Sequence, residues 1–161
     1  MKTNYKHICK LLRVPVMSIL IMLFSGLALG QSQNDIVPRA LSALKDGNLD
    51  EARTLIDEAA GQAGADTIAY TWYYRGYIYK ELHKRDKNVN GPERSLSIDY
   101  FSKSIKIDPT GKYANNSRDA ITNIARTFYN DCVIYLNSKD PENAHKSFEI
   151  YLEKIVIADS T

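Results

Sequence analysis

The chain has 161 residues, 44% of them hydrophobic and 25% charged, with a formal net charge of +2. That balance describes a folded chain and excludes a disordered one, and the length suits one domain or a short array of repeats. Eleven tyrosines stand against four phenylalanines, an excess of side chains that can pack in a core yet still offer a hydroxyl at a surface.

The first thirty residues form a separate object. Lys2, Lys6, Lys10 and Arg13 make a basic start, and no acidic residue precedes Asp35. An apolar run then extends from Val14 to Leu29, and Ala28-Leu29-Gly30 closes it with small residues one and three places before Gln31. This layout predicts a secretory signal peptide (residues 1–30) cleaved after Gly30, and hence a periplasmic or secreted protein. The run is shorter than the ~20 apolar residues a membrane span needs, which argues against an uncleaved anchor. No cysteine stands at the cleavage point to carry a lipid. Four of the 21 basic residues leave with the segment, so 17 face 19 acidic ones and the mature net charge is −2. Nothing is left that would draw nucleic acid or an anionic membrane surface. Cys9 leaves too, so Cys132 remains without a disulfide partner and stability must come from packing.

In residues 31–161 the apolar residues recur at helical spacing. Asp35 is placed to cap a first helix carrying Ile36, Val37, Ala40, Leu41 and Leu44, and Asp46-Gly47-Asn48 breaks it. A second helix from Leu49 to Gln62 puts Ala52, Leu55, Ile56 and Ala59 on one face and ends at Gly61 and Gly64. Asp66 or Thr67 is expected to cap the third, which carries Tyr70 to Leu82. A charged, glycine-containing stretch follows, from His83 through Gly91-Pro92. The fourth helix holds Leu96, Tyr100, Phe101, Ile105 and Ile107 and stops at Asp108-Pro109. A long fifth helix opens at Asn115, Asn116 or Ser117 and reaches Asn137. Asp140-Pro141 then starts the sixth with an N-cap and a first-turn proline. No segment alternates with the period of a strand, so the predicted class is all-α.

The six helices align on one another as three pairs, approximately residues 33–66, 67–111 and 116–158. In the middle pair Trp72, Gly76 and Tyr79 lie on one helix and Ser97, Phe101, Ser104 and Pro109 on the next. Phe128, Cys132 and Tyr135 keep the first set of intervals, and Ala144 and Phe148 follow. Ala40 and Ala52 repeat the spacing of Cys132 and Ala144, whereas the hairpin between Gly76 and Ser97 is nine residues longer. Small residues at these places let antiparallel helices approach, and aromatics fill the space between pairs. This pattern resembles the tetratricopeptide (TPR) repeat over essentially the whole mature chain. It departs in three places: Arg75 stands where the pattern has Leu, an insertion lies around residues 83–94, and a spacer (Lys112–Ile124) precedes the last pair.

The resemblance implies a TPR-like stack of three antiparallel helix pairs in a right-handed superhelix, with the first helix of each pair lining a concave face where a protein or peptide binds. Carried over by spacing, that face takes Val37, Leu41 and Leu44, then Tyr70, Tyr73, Tyr77, Lys80 and Glu81, then Arg126, Tyr129, Val133 and Asn137. The candidate partner-binding set is Tyr70, Tyr73, Tyr77, Lys80, Arg126 and Tyr129. Tyr70, Tyr73 and Tyr77 fall on one helical stripe, and two readings stand: a groove, or a core sealed by the insertion. Tyrosines occupy the places where some TPR modules carry a Lys/Asn carboxylate clamp, so chaperone-tail binding is not expected.

No catalytic, metal or cofactor constellation is present: His83 and His145 have no companion at ligand spacing, and there is no H-E-x-x-H, G-x-S-x-G or phosphate-cradling glycine loop. Asn115-Asn116-Ser117 fits a glycosylation acceptor and is read as helix-capping. The expected function is a non-enzymatic interaction scaffold of the bacterial cell envelope. The alternative is a permanent envelope subunit docking through an uncapped C-terminal helix edge; Phe148, Tyr151 or Ile155, expected to be partly bare there, imply either self-association through that edge or a chain lacking further natural repeats.

Overall fold

The structure, a computed structural model, describes residues 33–89 and 91–159; the expected signal peptide lies outside them. Six helices and one tight turn follow in order: α1 (Gln33–Lys45), α2 (Leu49–Gly61), a 3₁₀ turn (Ala65–Thr67), α3 (Ala69–Asp86), α4 (Glu93–Ile107), α5 (Ala114–Asn137) and α6 (Pro141–Asp159). The described residues hold no strand, and the class is all-α. Packing is densest within α1/α2, α3/α4 and α5/α6, and next densest between α2 and α3 and between α4 and α5. The described residues form a row of helical hairpins, each packed on the one before.

The first and last hairpins use the same turn. Gly47 (φ +80°) and Lys139 (φ +60°) take the left-handed conformation in the middle of three-residue connections. The N–H after each reaches back across the helix end, Asn48 to the Ala43 carbonyl at 2.8 Å and Asp140 to that of Tyr135 at 2.9 Å. These bonds satisfy carbonyls that a helix end leaves open. The middle hairpin differs because α3 simply continues, so most of the extra residues are helix and only 87–92 form the connection.

Capping follows expectation only in part. Asp140 caps α6, accepting the Asn143 N–H at 3.1 Å and its side-chain amide at 2.7 Å. Those two bonds hold the Asp140 carboxyl below the usual carboxylate range. Asp35 lies inside the first turn of α1, not ahead of it. Neither Asp66 nor Thr67 caps α3; both belong to the 3₁₀ turn, and Ile68 precedes the helix without a side-chain cap. What fixes that entry is tertiary: the Trp72 indole N–H donates to the Ala65 carbonyl at 2.8 Å, while Lys103 from α4 pairs with Asp66.

Two apolar clusters hold the row together. The first joins Ile36, Val37, Ala40, Ala52 and Ile56 of the first hairpin to Ile78, Tyr79 and Leu82 of α3. The second joins Ile98, Phe101 and Ile105 of α4 to Ile121, Ile124 and Phe128 of α5. At the centre of the middle hairpin Ser97 Oγ donates to the Gly76 carbonyl at 2.7 Å. The Phe101 ring lies so close that a Cβ on Gly76 would meet it at 2.9 Å. Glycine is required there by contact, because its φ is ordinary.

Arg75, the residue where the pattern has Leu, is accounted for by its neighbours. Its Nε bonds Asp57 on α2 at 2.9 Å, and its guanidinium lies 4.1 Å from the Tyr100 ring centroid. Tyr79 donates to the other Asp57 oxygen at 2.8 Å. A planar cation can thus stack and pair at once between two hairpins, which an aliphatic chain cannot. Burial first, and the bond to Asp57 second, push the Tyr79 hydroxyl up to about 12. A tyrosine raised in this way adds stability that is whole below its ordinary value of 10.0 and is lost as pH climbs to about 12. Tyr79→Phe is therefore expected to cost about 1 kcal/mol at neutral pH and to flatten the loss of stability across that alkaline window. Denaturant melts at stepped pH test this, and superimposable pH profiles for the two proteins would refute the coupling.

Candidate functional site

The candidate concave surface begins where α1 and α3 come side by side. Leu41, Leu44 and Lys45 from α1, Gly47 and Leu49 from the turn and α2, and Tyr77 and Glu81 from α3 line a cleft of about 440 Å³. Its floor is aliphatic with one aromatic wall, and its rim is charged. The Lys80 ammonium sits 4.0 Å from the Tyr77 ring centroid and 3.3 Å from the Glu81 carboxylate, which also accepts from Lys84 at 2.9 Å. Burial opposes charge on Glu81, but the hydrogen bonds from Lys84 and Lys80 outweigh it and hold the carboxyl below its usual range. The rim is thus a fixed line of alternating charge beside an apolar slot.

The tyrosine stripe is divided. Tyr70, Tyr73 and Tyr77 are all half-buried. Tyr73 is stacked on Tyr113, ring centroids 4.7 Å apart at 28°, with Tyr74 edge-on at 5.0 Å. It is closed over by the residues that lead into α5, not by the insertion. Tyr70 lines a second cleft of about 460 Å³ with Ile68, Ile107, Lys112 and Tyr113. Of the three, Tyr77 is the one that faces the α1–α3 cleft. Val37, expected on this surface, is 1% exposed and belongs to the first apolar cluster, because α3 lies across it.

Arg126 and Tyr129 lie on another surface. Both are exposed on α5, and Tyr129 packs against Tyr151 and Phe148 of α6 at centroid distances of 5.5 and 6.5 Å. Sequence reasoning grouped them with the α3 tyrosines by repeat position, but the closed contact at Tyr73 and Tyr113 intervenes.

A polar recess was not anticipated. Arg94 on α4 is 5% exposed, yet it carries a full charge into the junction with α5. It donates to Asp131 at 2.5 Å, to Thr127 Oγ1 at 3.3 Å and to the Val89 carbonyl at 3.0 Å, and its guanidinium lies 3.6 Å from the Phe128 ring centroid. His83 borders the same group, and burial, then the Arg94 charge, hold its imidazole below the ordinary histidine range. A lone arginine in a charged segment gives no sequence signal of burial. Asp131, thirty-seven positions away, supplies the reason.

Among the described residues no group of three or more His, Cys, Asp or Glu could hold a metal ion, and no helix is long and apolar enough to cross a membrane. The surface features on view are apolar slots, aromatic walls and fixed charges. The chain matches no protein-family model and no curated protein.

Proposed function

We propose that this chain is an exported, TPR-like helical-repeat protein that acts without catalysis as an interaction scaffold in the bacterial cell envelope. It holds an apolar side chain of a protein or peptide segment in the α1–α3 cleft. The repeat reading is supported by register. Ala40, Gly76 and Cys132 on the first helices, and Ala52, Ser97 and Ala144 on the second, are all buried where the hairpins close. Export and a periplasmic or secreted location rest on the layout of residues 1–30.

The observation that carries the binding role is the cleft itself. It joins the first helices of two successive pairs, is floored by Leu41, Leu44 and Leu49, and is walled by Tyr77. An apolar slot flanked by fixed charges suits a segment that buries one hydrophobic anchor and sets its polar atoms against the rim. Lys45, Lys80 and Glu81 give that rim both signs, which favours a partner carrying mixed charge beside its anchor.

The test is capture of partner from an envelope extract on immobilised protein, followed by affinity measurement for whatever is retained. Tyr77→Ala is expected to weaken binding at least ~10-fold, and Leu44→Asp to abolish it, with helical content unchanged. Undiminished capture by both variants would remove the cleft from consideration.

A further inference from the structure

On its α6 side the recess around Arg94 opens into a space of about 280 Å³, enclosed by the α3–α4 connection, the start of α4, α5 and α6. It shares no residue with the α1–α3 cleft. Arg94 and Asp131 are its most enclosed charges, Lys146 and Ser147 reach it from α6, and Phe128 and Ile150 give it an apolar side.

Three polar features of this space are left open by the protein itself. Ser147 is 8% exposed, yet its hydroxyl makes no hydrogen bond to another described residue. So enclosed a hydroxyl is costly until a group entering the recess supplies the missing bond. Lys146, next to it on α6 and exposed, forms no ion pair among the described residues. The N–H groups of Arg94 and Ser95 precede the first bond of α4, from the Leu96 N–H to the Pro92 carbonyl at 2.9 Å, and no side chain caps them. Open N–H groups at a helix start favour negative charge.

Charge decides what fits. Arg94 and Asp131 neutralise one another through their direct bond. Glu93 stands at the start of α4, but the groups it acts on are Arg53 and His83. One positive charge remains, that of Lys146, beside donors from Ser147 and the first turn of α4. A monoanion matches it, and a dianion would carry one charge too many. The side formed by Phe128 and Ile150 asks for hydrocarbon next to that charge.

We propose that this recess binds a single carboxylate, held by Lys146, the Ser147 hydroxyl and the open N–H groups of α4, with its hydrocarbon stem against Ile150. A free organic acid and the C-terminus of a peptide both present this chemistry. The site stands apart from the α1–α3 cleft, so Tyr77→Ala should leave it intact.

Titrations of the intact protein test this, read by the amide NMR shifts of Ser95 and Ser147. The probes are butyrate against butyramide, and acetyl-Ala-Ala-Leu with a free against an amidated C-terminus. At least one acid should shift both resonances to saturation, with its amide at least ~10-fold weaker. Saturation by butyrate alone identifies a free acid as the ligand, and a tighter peptide acid identifies a chain terminus. Lys146→Met and Ser147→Ala should each weaken the acid at least ~10-fold with helical content unchanged. Ser147→Ala removes a hydroxyl that bonds nothing in the protein, so stability without ligand should not fall; a serine with a merely structural role would lose it. No saturation by either acid at about 10 mM overturns the proposal. Amides binding as well as acids, or binding indifferent to Lys146→Met and Ser147→Ala, overturn it equally.

Discussion

Arg94→Ala is expected to destabilise the fold by about 3–5 kcal/mol, among the largest losses for any single change outside the apolar core. Arg94 has left water almost completely, and it is tolerated because one planar fork serves three acceptors while stacking on Phe128. Truncation leaves Asp131 as an unpaired charge in a recess its side chain shares with little solvent (13% exposed). That uncompensated carboxylate, not the lost attraction, sets the size of the effect. Asp131→Ala should cost a similar amount for the mirror reason. The double change Arg94→Leu with Asp131→Leu should recover most of the loss, because no charge is then stranded. Urea unfolding of the four proteins measures the cycle, and a single-variant cost below ~1 kcal/mol would contradict the burial argument.

Two further readouts belong to the same change. The Val89 carbonyl loses its tie to Arg94, so the 87–92 connection should become the first site of limited proteolysis. Removal of the Arg94 charge also lifts one of the two influences that hold His83 down, burial being the larger. The His83 imidazole should therefore titrate higher in Arg94→Ala than in the parent, a shift that proton NMR can follow.

Phe101→Ala should be comparably severe, at about 3–5 kcal/mol, because a fully buried ring is replaced by a void between α3, α4 and α5. The opposite error is made at Gly76. An added methyl there meets the Phe101 ring at 2.9 Å, and the ring is enclosed and has little room to move. Overpacking costs about 1–3 kcal/mol, offset by the ~1 kcal/mol that alanine gains over glycine within a helix. Gly76→Ala should thus be net destabilising or at best neutral in the parent. In a Phe101→Leu background it should turn stabilising, since the space has been vacated. A double-mutant cycle by thermal or denaturant melting detects this change of sign. Strict additivity of the two substitutions would mean that the ring and the glycine are not in contact.

Much of the architecture was legible locally. The spacing of Ile36, Ala40, Ala43 or of Ala144, Phe148, Tyr151 is set by 3.6 residues per turn, and Gly47 and Asp140-Pro141 interrupt it by backbone chemistry that needs no distant neighbour. The charged stretch after Leu82 carries no clear helix signal of its own, yet α3 continues through it as far as Asp86. Capping at Asp66 was misplaced because Trp72 and Lys103 claim that turn from elsewhere in the fold.

The candidate site was legible by halves. Repeat position alone assigns Tyr70, Tyr73, Tyr77, Lys80, Arg126 and Tyr129 to the candidate site, and all of them lie on α3 or α5. Repeat position could not tell which of them α5 would close over, since Tyr113 lies forty residues from Tyr73 in the chain.

By itself the sequence determined that this chain is helical, where its helices turn and which small residues let them approach, because periodicity, glycine and proline act within a few residues. The tertiary structure decided which tyrosines face water, why Arg75 and Arg94 are charged at their positions, and which apolar face is left bare. Burial and charge pairing depend on what other helices bring to the same point, and no local pattern encodes that.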